Sequence, residues 1–194
     1  MKNKKILWIT ETAVMLALLI TLQWAGSMIP EQMTKQLITG TFVNAVLAVT
    51  VLMVGRSSGA TVAVISPVCA FLLHIAPNII TVIPIMMGNL CFVLLLHWIV
   101  YLPVRGNWKK PAALALASTV KFGVLYLLVV KLICGPASGL FLGKKLGETV
   151  LLAPKMLLPK ALPTMFAWPQ LVTALAGGAL ALCITPAIKK ALHK

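Results

Sequence analysis

Apolar residues run along this chain in long, nearly unbroken stretches that short polar connections separate. Six such runs can be marked, at residues 6–29, 37–54, 59–76, 79–101, 112–134 and 166–188. Most of them reach the roughly 20 residues that a helix needs to cross about 30 Å of hydrocarbon. They lack the alternation of apolar and polar positions that is typical of strands in an outer-membrane barrel. The pattern predicts an all-α integral membrane protein, a compact bundle of six transmembrane helices in a single domain over residues 1–194.

The overall composition agrees with this prediction. Hydrophobic residues make up 60% of the chain and charged residues 10%, and the mean hydropathy is +1.01. A soluble protein has about 25% charged residues. The first apolar run is long and is interrupted early by Glu11, which is not typical of a removable signal peptide. We therefore expect it to remain as the first helix.

Lysine and arginine residues in the connections predict the orientation, because cytoplasmic loops are enriched in them. If both termini are cytoplasmic, ten of these residues lie inside: Lys2, Lys4, Lys5, Arg56, Arg105, Lys109, Lys110, Lys189, Lys190 and Lys194. Five lie outside: Lys35, Lys144, Lys145, Lys155 and Lys160. We therefore predict a multi-pass protein of the bacterial cytoplasmic membrane with both termini in the cytoplasm.

The net charge of +14 raises the question of a nucleic-acid partner. The positive residues flank apolar helices and form no basic stripe with interleaved aromatic residues, so we expect no nucleic acid. Anionic lipid headgroups are the simpler partner. The four cysteines lie singly within the helices without CxxC spacing, and we interpret them as small buried apolar residues and expect no metal site.

Several kinds of chemistry lack the residues that they need. The chain has no aspartate, and its acids are Glu11, Glu31 and Glu148. There are thus no paired carboxylates and no aspartate-rich magnesium site. A GxxxxGK[ST] phosphate loop is also missing, so ATP hydrolysis by the usual route is excluded. We expect neither enzymatic activity nor a cofactor, and uphill transport would need energy from another subunit.

On this topology, hydrogen-bonding and aromatic side chains gather in the outer half of the bundle, Gln23 and Thr39 among them. A buried polar group without a partner is costly in hydrocarbon, so these groups should face one another, a water-filled cavity or a ligand. The stretch HIAPNIITVIPIMMGN, residues 74–89, is interpreted as an outer helical hairpin in which Pro77 ends the third helix and Asn78 caps the fourth. The candidate substrate-binding residues are Trp24, Asn44, His74, Asn78, Asn89, Tyr126, Lys131, Trp168 and Gln170.

Structural roles remain open for several of these candidates. His74 and Asn78 would serve equally to satisfy free helix ends. Asn89 would form a packing hydrogen bond between helices. Trp168 would belong to the interfacial aromatic belt. Lys131 would extend to the lipid headgroups.

Lys121 lies about 15 Å deeper than Lys131 along the fifth helix, at 1.5 Å per residue. The chain offers few acids to pair with it. We expect Ser118, Thr119 or backbone carbonyls to hold its amine, and a structural or inter-subunit role is favoured.

The outer segment 135–165 is too long and too apolar for an ordinary loop. Prolines at 154, 159 and 163 exclude one long helix, whereas two short interfacial helices would fit. Two interpretations remain open, a lid over the outer cavity and a passive amphipathic segment that rests on the membrane.

Small residues recur at a four-residue step on the first helix, at Ala13, Ala17 and Thr21, where another helix can pack closely. The stretch TETAVMLALLITLQWAG resembles the first helix of the substrate-binding S components of energy-coupling factor (ECF) vitamin transporters, and their AxxxA motif falls on Ala13 and Ala17. The passages GRSSGATVAVISPVCAFLLHIAPNIITVIPIMMGN and FAWPQLVTALAGGALA are similar to segments of S components of unassigned specificity.

The resemblance implies a substrate-binding subunit that captures a vitamin or related micronutrient in a pocket in the outer half of the helices. It further implies partners, a membrane-embedded coupling subunit and two cytoplasmic ATPases, with Ala13, Ala17 and Thr21 at the coupling-subunit interface. The alternative function is a stand-alone oligomeric small-molecule transporter or channel. A third, a membrane enzyme or assembly factor with His74 or His97 as a general base, is less favoured because His97 has no evident nucleophile or metal-ligand partner.

Overall fold

The structure is a computed structural model that describes residues 2–73, 75, 79–103, 106, 108–134 and 162–191. Its helices are α1 (Lys2–Ser27), α2 (Gln32–Met53), α3 (Arg56–Leu72), α4 (Val82–Val100), α5 (Lys109–Leu125), α6 (Leu162–Met165) and α7 (Trp168–Ala191). A 3₁₀ turn, Ile79–Thr81, precedes α4, and a π-helix, Tyr126–Ile133, continues α5. This described part of the chain contains no strand, which confirms the prediction of an all-α protein.

Five long helical segments are long and apolar enough to cross a membrane: Asn3–Ser27, Gln32–Met53, Ile79–Val100, Lys109–Ile133 and Pro163–Ala191. Helix α3 is a shorter apolar helix of 17 residues. By length and composition, the chain is therefore a multi-pass membrane protein, as its apolar runs predict. The residues predicted to form the tip of the outer hairpin, His74, Pro77 and Asn78, and most of the segment 135–165 lie outside the described residues.

The long helices alternate in direction, so the bundle has two ends. We call the upper end the one where α1 and α3 finish and where α2, α4 and α7 begin. The lower end is the opposite one, where α2 and α4 finish and where α3 and α5 begin.

Helix α2 lies at the centre of the bundle and packs against α1, α3, α4 and α7. Its residues from Asn44 to Leu52 are all buried, as expected of a helix that is surrounded on every side. The contact between α2 and α7 is especially close. A Cβ atom on Gly177 would lie 2.3 Å from the backbone oxygen of Thr41 and 2.8 Å from the backbone nitrogen of Ala45. The absence of a side chain at Gly177 therefore allows the two backbones to approach each other.

The π-helix closes one side of the upper end. Its hydrogen bonds span five residues, an uncommon arrangement that is often found at functional sites. Leu125, Val129 and Ile133, four residues apart, are buried together with Met165 and Phe166. This apolar cluster begins at Leu125, about one helical turn beyond Lys121, and joins α5 and the π-helix to α6.

Helix α2 begins at a capped end. The Glu31 carboxylate accepts a hydrogen bond from the backbone N–H of Met33 at 2.8 Å and another from the backbone N–H of Thr34. The hydrogen bonds from Thr34, and to a smaller extent the one from Met33, lower the pKa of the Glu31 carboxyl. A negative charge here also favours the helix amino terminus, with its unpaired N–H groups.

Candidate ligand-binding cavity at the upper end of the bundle

A cavity of about 130 Å³ lies between the upper ends of the helices. It is similar in size to an engineered cavity of about 150 Å³ that binds benzene in another protein. Five helices contribute polar side chains to its lining: Gln23 from α1, Gln36, Thr39 and Asn44 from α2, Asn89 from α4, Lys121 from α5 and Gln170 from α7. The rest of the lining is mostly apolar, with Ile85, Leu125 and Phe166 among its members. Such an apolar cavity with a few convergent polar groups is typical of small-molecule sites.

Lys121 forms the polar floor of this cavity, and only 3% of the residue is exposed. Its Nζ donates to Asn44 Oδ1 at 2.5 Å and to Asn89 Oδ1 at 2.6 Å. The same Nζ lies 5.5 Å from the centre of the Phe92 ring, within the range of a cation–π contact. One amine thus joins α5 to both α2 and α4 in the interior of the bundle, where an unpartnered charge would be very unfavourable.

The oxygen of Asn44 is held in position by the other half of its amide group. Asn44 Nδ2 donates to the backbone oxygen of Gly40 at 2.8 Å and lies 3.4 Å from Thr173 Oγ1. Thr173 Oγ1 in turn donates to the backbone oxygen of Gln170 at 3.2 Å. Because the amide nitrogen is directed at these acceptors, Asn44 Oδ1 is left to accept from Lys121.

Three residues that line the cavity carry buried polar atoms without a hydrogen-bond partner among the described residues. These atoms are Gln23 Oε1, Thr39 Oγ1 and Asn89 Nδ2. A buried donor or acceptor without a partner costs about 1–3 kcal/mol. The cavity walls therefore hold hydrogen-bonding capacity that a ligand or ordered water would satisfy.

Of the nine residues proposed from the sequence as substrate-binding, three line this one cavity: Asn44, Asn89 and Gln170. They come from α2, α4 and α7 and meet only because the helices pack side by side. Trp24 and Trp168 are 54% and 53% exposed, and both lie outside the cavity lining.

Tyr126 and Lys131 also lie outside the lining, on the π-helix. The Tyr126 ring lies 5.7 Å from that of Phe122, and Lys131 Nζ lies 5.8 Å from the centre of the Tyr126 ring. Lys131 is exposed. His74 and Asn78 lie outside the described residues.

The structure corrects the expected environment of Lys121. Ser118 Oγ is buried without a partner among the described residues, and Thr119 Oγ1 donates to the backbone oxygen of Ala115 at 2.9 Å. The long lysine side chain reaches away from its own helix, to amide oxygens on α2 and α4. Gln23 and Thr39, which the sequence places in the outer half, join the site, as does Gln36.

A second cavity, of about 230 Å³, lies at the lower end. Two of its lining residues are the exposed Lys110 from α5 and the half-buried Lys189 from α7. The other lining residues are Leu52, Val100, Tyr101, Leu182, Thr185 and Pro186. Across the described part of the chain, no group of three or more His, Cys, Asp or Glu residues is placed to hold a metal ion.

Comparisons of this chain with protein-family models, with curated proteins and with solved structures find no match. Function is therefore inferred from the upper cavity and from the surface of the bundle.

Proposed function

We propose that this protein is the substrate-binding S component of an ECF-type importer. It captures a vitamin or related micronutrient from outside the cell membrane, and a coupling subunit with two cytoplasmic ATPases drives its uptake. The observation that carries this proposal is the upper cavity, to which five helices contribute polar side chains around a buried lysine. A bundle that needed only to be stable in lipid would not gain from such a group, because polar residues inside a membrane are expensive and are usually functional.

The distribution of charge supports an orientation in which the cavity faces outward. Among the described lysine and arginine side chains, seven lie towards the lower end: Lys4, Lys5, Arg56, Lys109, Lys110, Lys189 and Lys190. Lys35 and Lys131 lie towards the upper end. Since cytoplasmic ends are richer in these residues, the lower end is cytoplasmic and the upper cavity faces the outside.

One exposed face of α1 is suited to packing against a helix of a partner protein. Ala13, Ala17 and Thr21 are all exposed, at successive four-residue steps along one face. Helix α1 is also the least buried of the five long apolar segments. In hydrocarbon, small side chains let two helix backbones approach and pack closely, so this face fits a helix of the coupling subunit.

A pull-down experiment tests the proposal. The tagged protein is expressed together with an ECF coupling subunit and its two ATPases, as wild type and as the variants Ala13→Trp and Ala17→Trp. Ala115→Trp is the matched control, because Ala115 is a small exposed residue on α5. We expect wild type and the control to retain the complex, and both α1 variants to lose it while they still elute as folded protein in size-exclusion chromatography.

Two results would contradict the proposal. In the first, well-folded wild-type protein never retains the coupling subunit, even with its native partners. In the second, the bulky α1 variants retain the complex as well as wild type does. Uptake into protein-containing vesicles without any ATPase would then support the stand-alone transporter instead.

A further inference from the structure

The buried amine of Lys121 has no anionic partner among the described residues. Within the described part of the chain, its amine donates to the neutral amide oxygens of Asn44 and Asn89. Glu31 is exposed and caps the start of α2, and no carboxylate of the described residues acts on Lys121. A protonated amine at this position is therefore solvated by dipoles, and no described side chain neutralises it.

The geometry leaves bonding capacity at the amine. A lysine ammonium has three N–H donors, and the two asparagine oxygens account for two of them. Lys121 also lines the cavity, so its head group lies at the boundary between the protein interior and the space for a ligand. A ligand atom that accepts a hydrogen bond there would complete the shell around the amine.

An anionic acceptor fits this position better than a neutral one. The surroundings are poorly solvated, with Leu125 in the lining and Phe92 beneath the amine. Attraction between opposite charges is much stronger in such an environment than in water. Hydrogen bonds in which both groups are charged are also shorter and roughly twice as strong as neutral ones.

The size of the cavity selects among anions. A space of about 130 Å³ with one ammonium and two amides at its floor suits a single carboxylate on a small ligand. A phosphate carries up to two charges and three oxygens that seek donors. The described floor has only one cationic side chain to meet them.

We propose that Lys121 binds the carboxylate of a small monocarboxylate ligand, and that Asn44 and Asn89 are positioning residues that hold the amine at the cavity floor. The unpartnered Gln23 Oε1 is the acceptor for a hydrogen-bond donor elsewhere on the same ligand. This inference rests on the proposed function, because it identifies the class of molecule that the importer captures.

The test compares charged probes with neutral probes of the same shape. Thermal unfolding of the detergent-solubilised full chain is followed in titrations with benzoate and benzamide, and with acetate and acetamide. A ligand that binds only the folded protein raises the melting temperature by an amount that grows with the ratio of its concentration to its Kd, so the titration gives the relative affinity. We expect each carboxylate to bind the wild type about 10- to 100-fold more tightly than its amide, which corresponds to one charge-assisted hydrogen bond.

Two variants examine whether Lys121 causes this preference. Lys121→Gln keeps a donor for the asparagine oxygens but removes the charge, and Asn89→Asp adds a carboxylate at 2.6 Å from the amine in place of the amide oxygen. We expect both to reduce the carboxylate preference at least about tenfold. Lys110→Gln, at the lower cavity, is the matched control and should keep it. If Lys121→Gln does not fold, Asn89→Asp decides, since it retains the lysine and supplies its missing counter-charge.

The proposal is overturned if wild type shows no difference between carboxylates and amides, or if the difference persists in Asn89→Asp. These results are separable from those of the pull-down. Retention of the coupling subunit without any carboxylate preference would support the S-component function but contradict a carboxylate ligand at Lys121. A carboxylate preference without retention of the coupling subunit would support the anion site at Lys121 but contradict the importer function.

Discussion

The two cavities of this bundle differ in where they place positive charge. In the upper cavity the cationic residue is Lys121, at the floor, 3% exposed and bonded to two amide oxygens. In the lower cavity Lys110 is exposed and Lys189 is half-buried. The lower cavity is the larger, about 230 Å³ against about 130 Å³, so volume alone does not distinguish them. The difference is that the amine at the upper cavity is buried, whereas the lysines at the lower cavity remain accessible to solvent or lipid headgroups.

This difference separates a lysine that needs partners inside the protein from one that does not. Lysines at the end of a membrane helix can lay their aliphatic stems along apolar surface and keep the ammonium in water or among headgroups, at little cost. A lysine at the floor of a cavity has no such exit, and its desolvation must be offset by partners inside the protein. Each hydrogen bond that the Lys121 amine makes therefore offsets part of the free-energy cost of removing it from water.

The largest expected effect comes from removing the acceptors of the upper lysine. The double variant Asn44→Leu, Asn89→Leu deprives the buried amine of two hydrogen bonds of about 1.5–3 kcal/mol each. We expect it to lose roughly 3–6 kcal/mol of unfolding free energy, measured by denaturant titration in detergent. Lys110→Met at the lower cavity should change stability by no more than about 0.5 kcal/mol.

A third substitution provides the control for this prediction. Adding Lys121→Met to the double variant removes the charge as well as its acceptors, and buried ionic networks replaced wholly by apolar residues are often neutral or stabilising. We therefore expect the triple variant to regain most of the lost stability. A triple variant no more stable than the double one would show that the asparagines act through packing and not through the lysine.

The sequence predicts the helices well because membrane-spanning hydropathy is a local property. Each of the six apolar runs corresponds to a helix, although α2 begins at Gln32, five residues before its apolar run. That start is determined by the Glu31 cap, a specific side-chain contact, while the polar residues Lys35 and Gln36 are tolerated in the first turns.

The site is less predictable, for a physical reason. Isolated polar residues in apolar runs identify Asn44 and Asn89 as candidates, because such residues need partners. The helices are apolar on most faces, however, so periodicity does not reveal which face of each helix points inward. The meeting of Lys121 with two asparagines on other helices depends on that rotation, and Trp24 and Trp168 point elsewhere for the same reason.

A smaller effect is expected from the helix pair that both cavities share. Helices α2 and α7 contribute Asn44 and Gln170 to the upper cavity and Leu52 and Leu182 to the lower one. Gly177→Ala would place a Cβ atom 2.3 Å from a backbone oxygen of α2, which cannot move without separating the helices. We expect a loss of about 1–3 kcal/mol by the same denaturant titration.

The neighbouring glycine is the matched control. A Cβ atom on Gly178 would come within 2.0 Å of Leu114 Cδ1, the end of a side chain that can rotate away. Gly178→Ala should therefore be the milder change. If Gly178→Ala is the more destabilising of the two, close backbone contact between α2 and α7 does not hold the cavities together.

The smallest expected effect comes from a charge at the upper end that remains in water. Glu31 is exposed, and its pKa is lowered by hydrogen bonds from Thr34 and Met33. Because the folded pKa lies below the unfolded value of about 4.3, the carboxylate stabilises the fold above that pH, and this contribution disappears as the pH falls through the folded pKa. Glu31→Gln keeps an acceptor oxygen for the cap but removes the charge. We expect wild type to melt slightly above this variant at pH 6, and the two melting temperatures to converge as the pH falls through the folded pKa of Glu31. Glu31→Gln at pH 6 could also destabilise the protein as much as the double variant Asn44→Leu, Asn89→Leu does. That result would contradict the view that burial, and not charge alone, distinguishes Lys121 from an exposed charge such as Glu31.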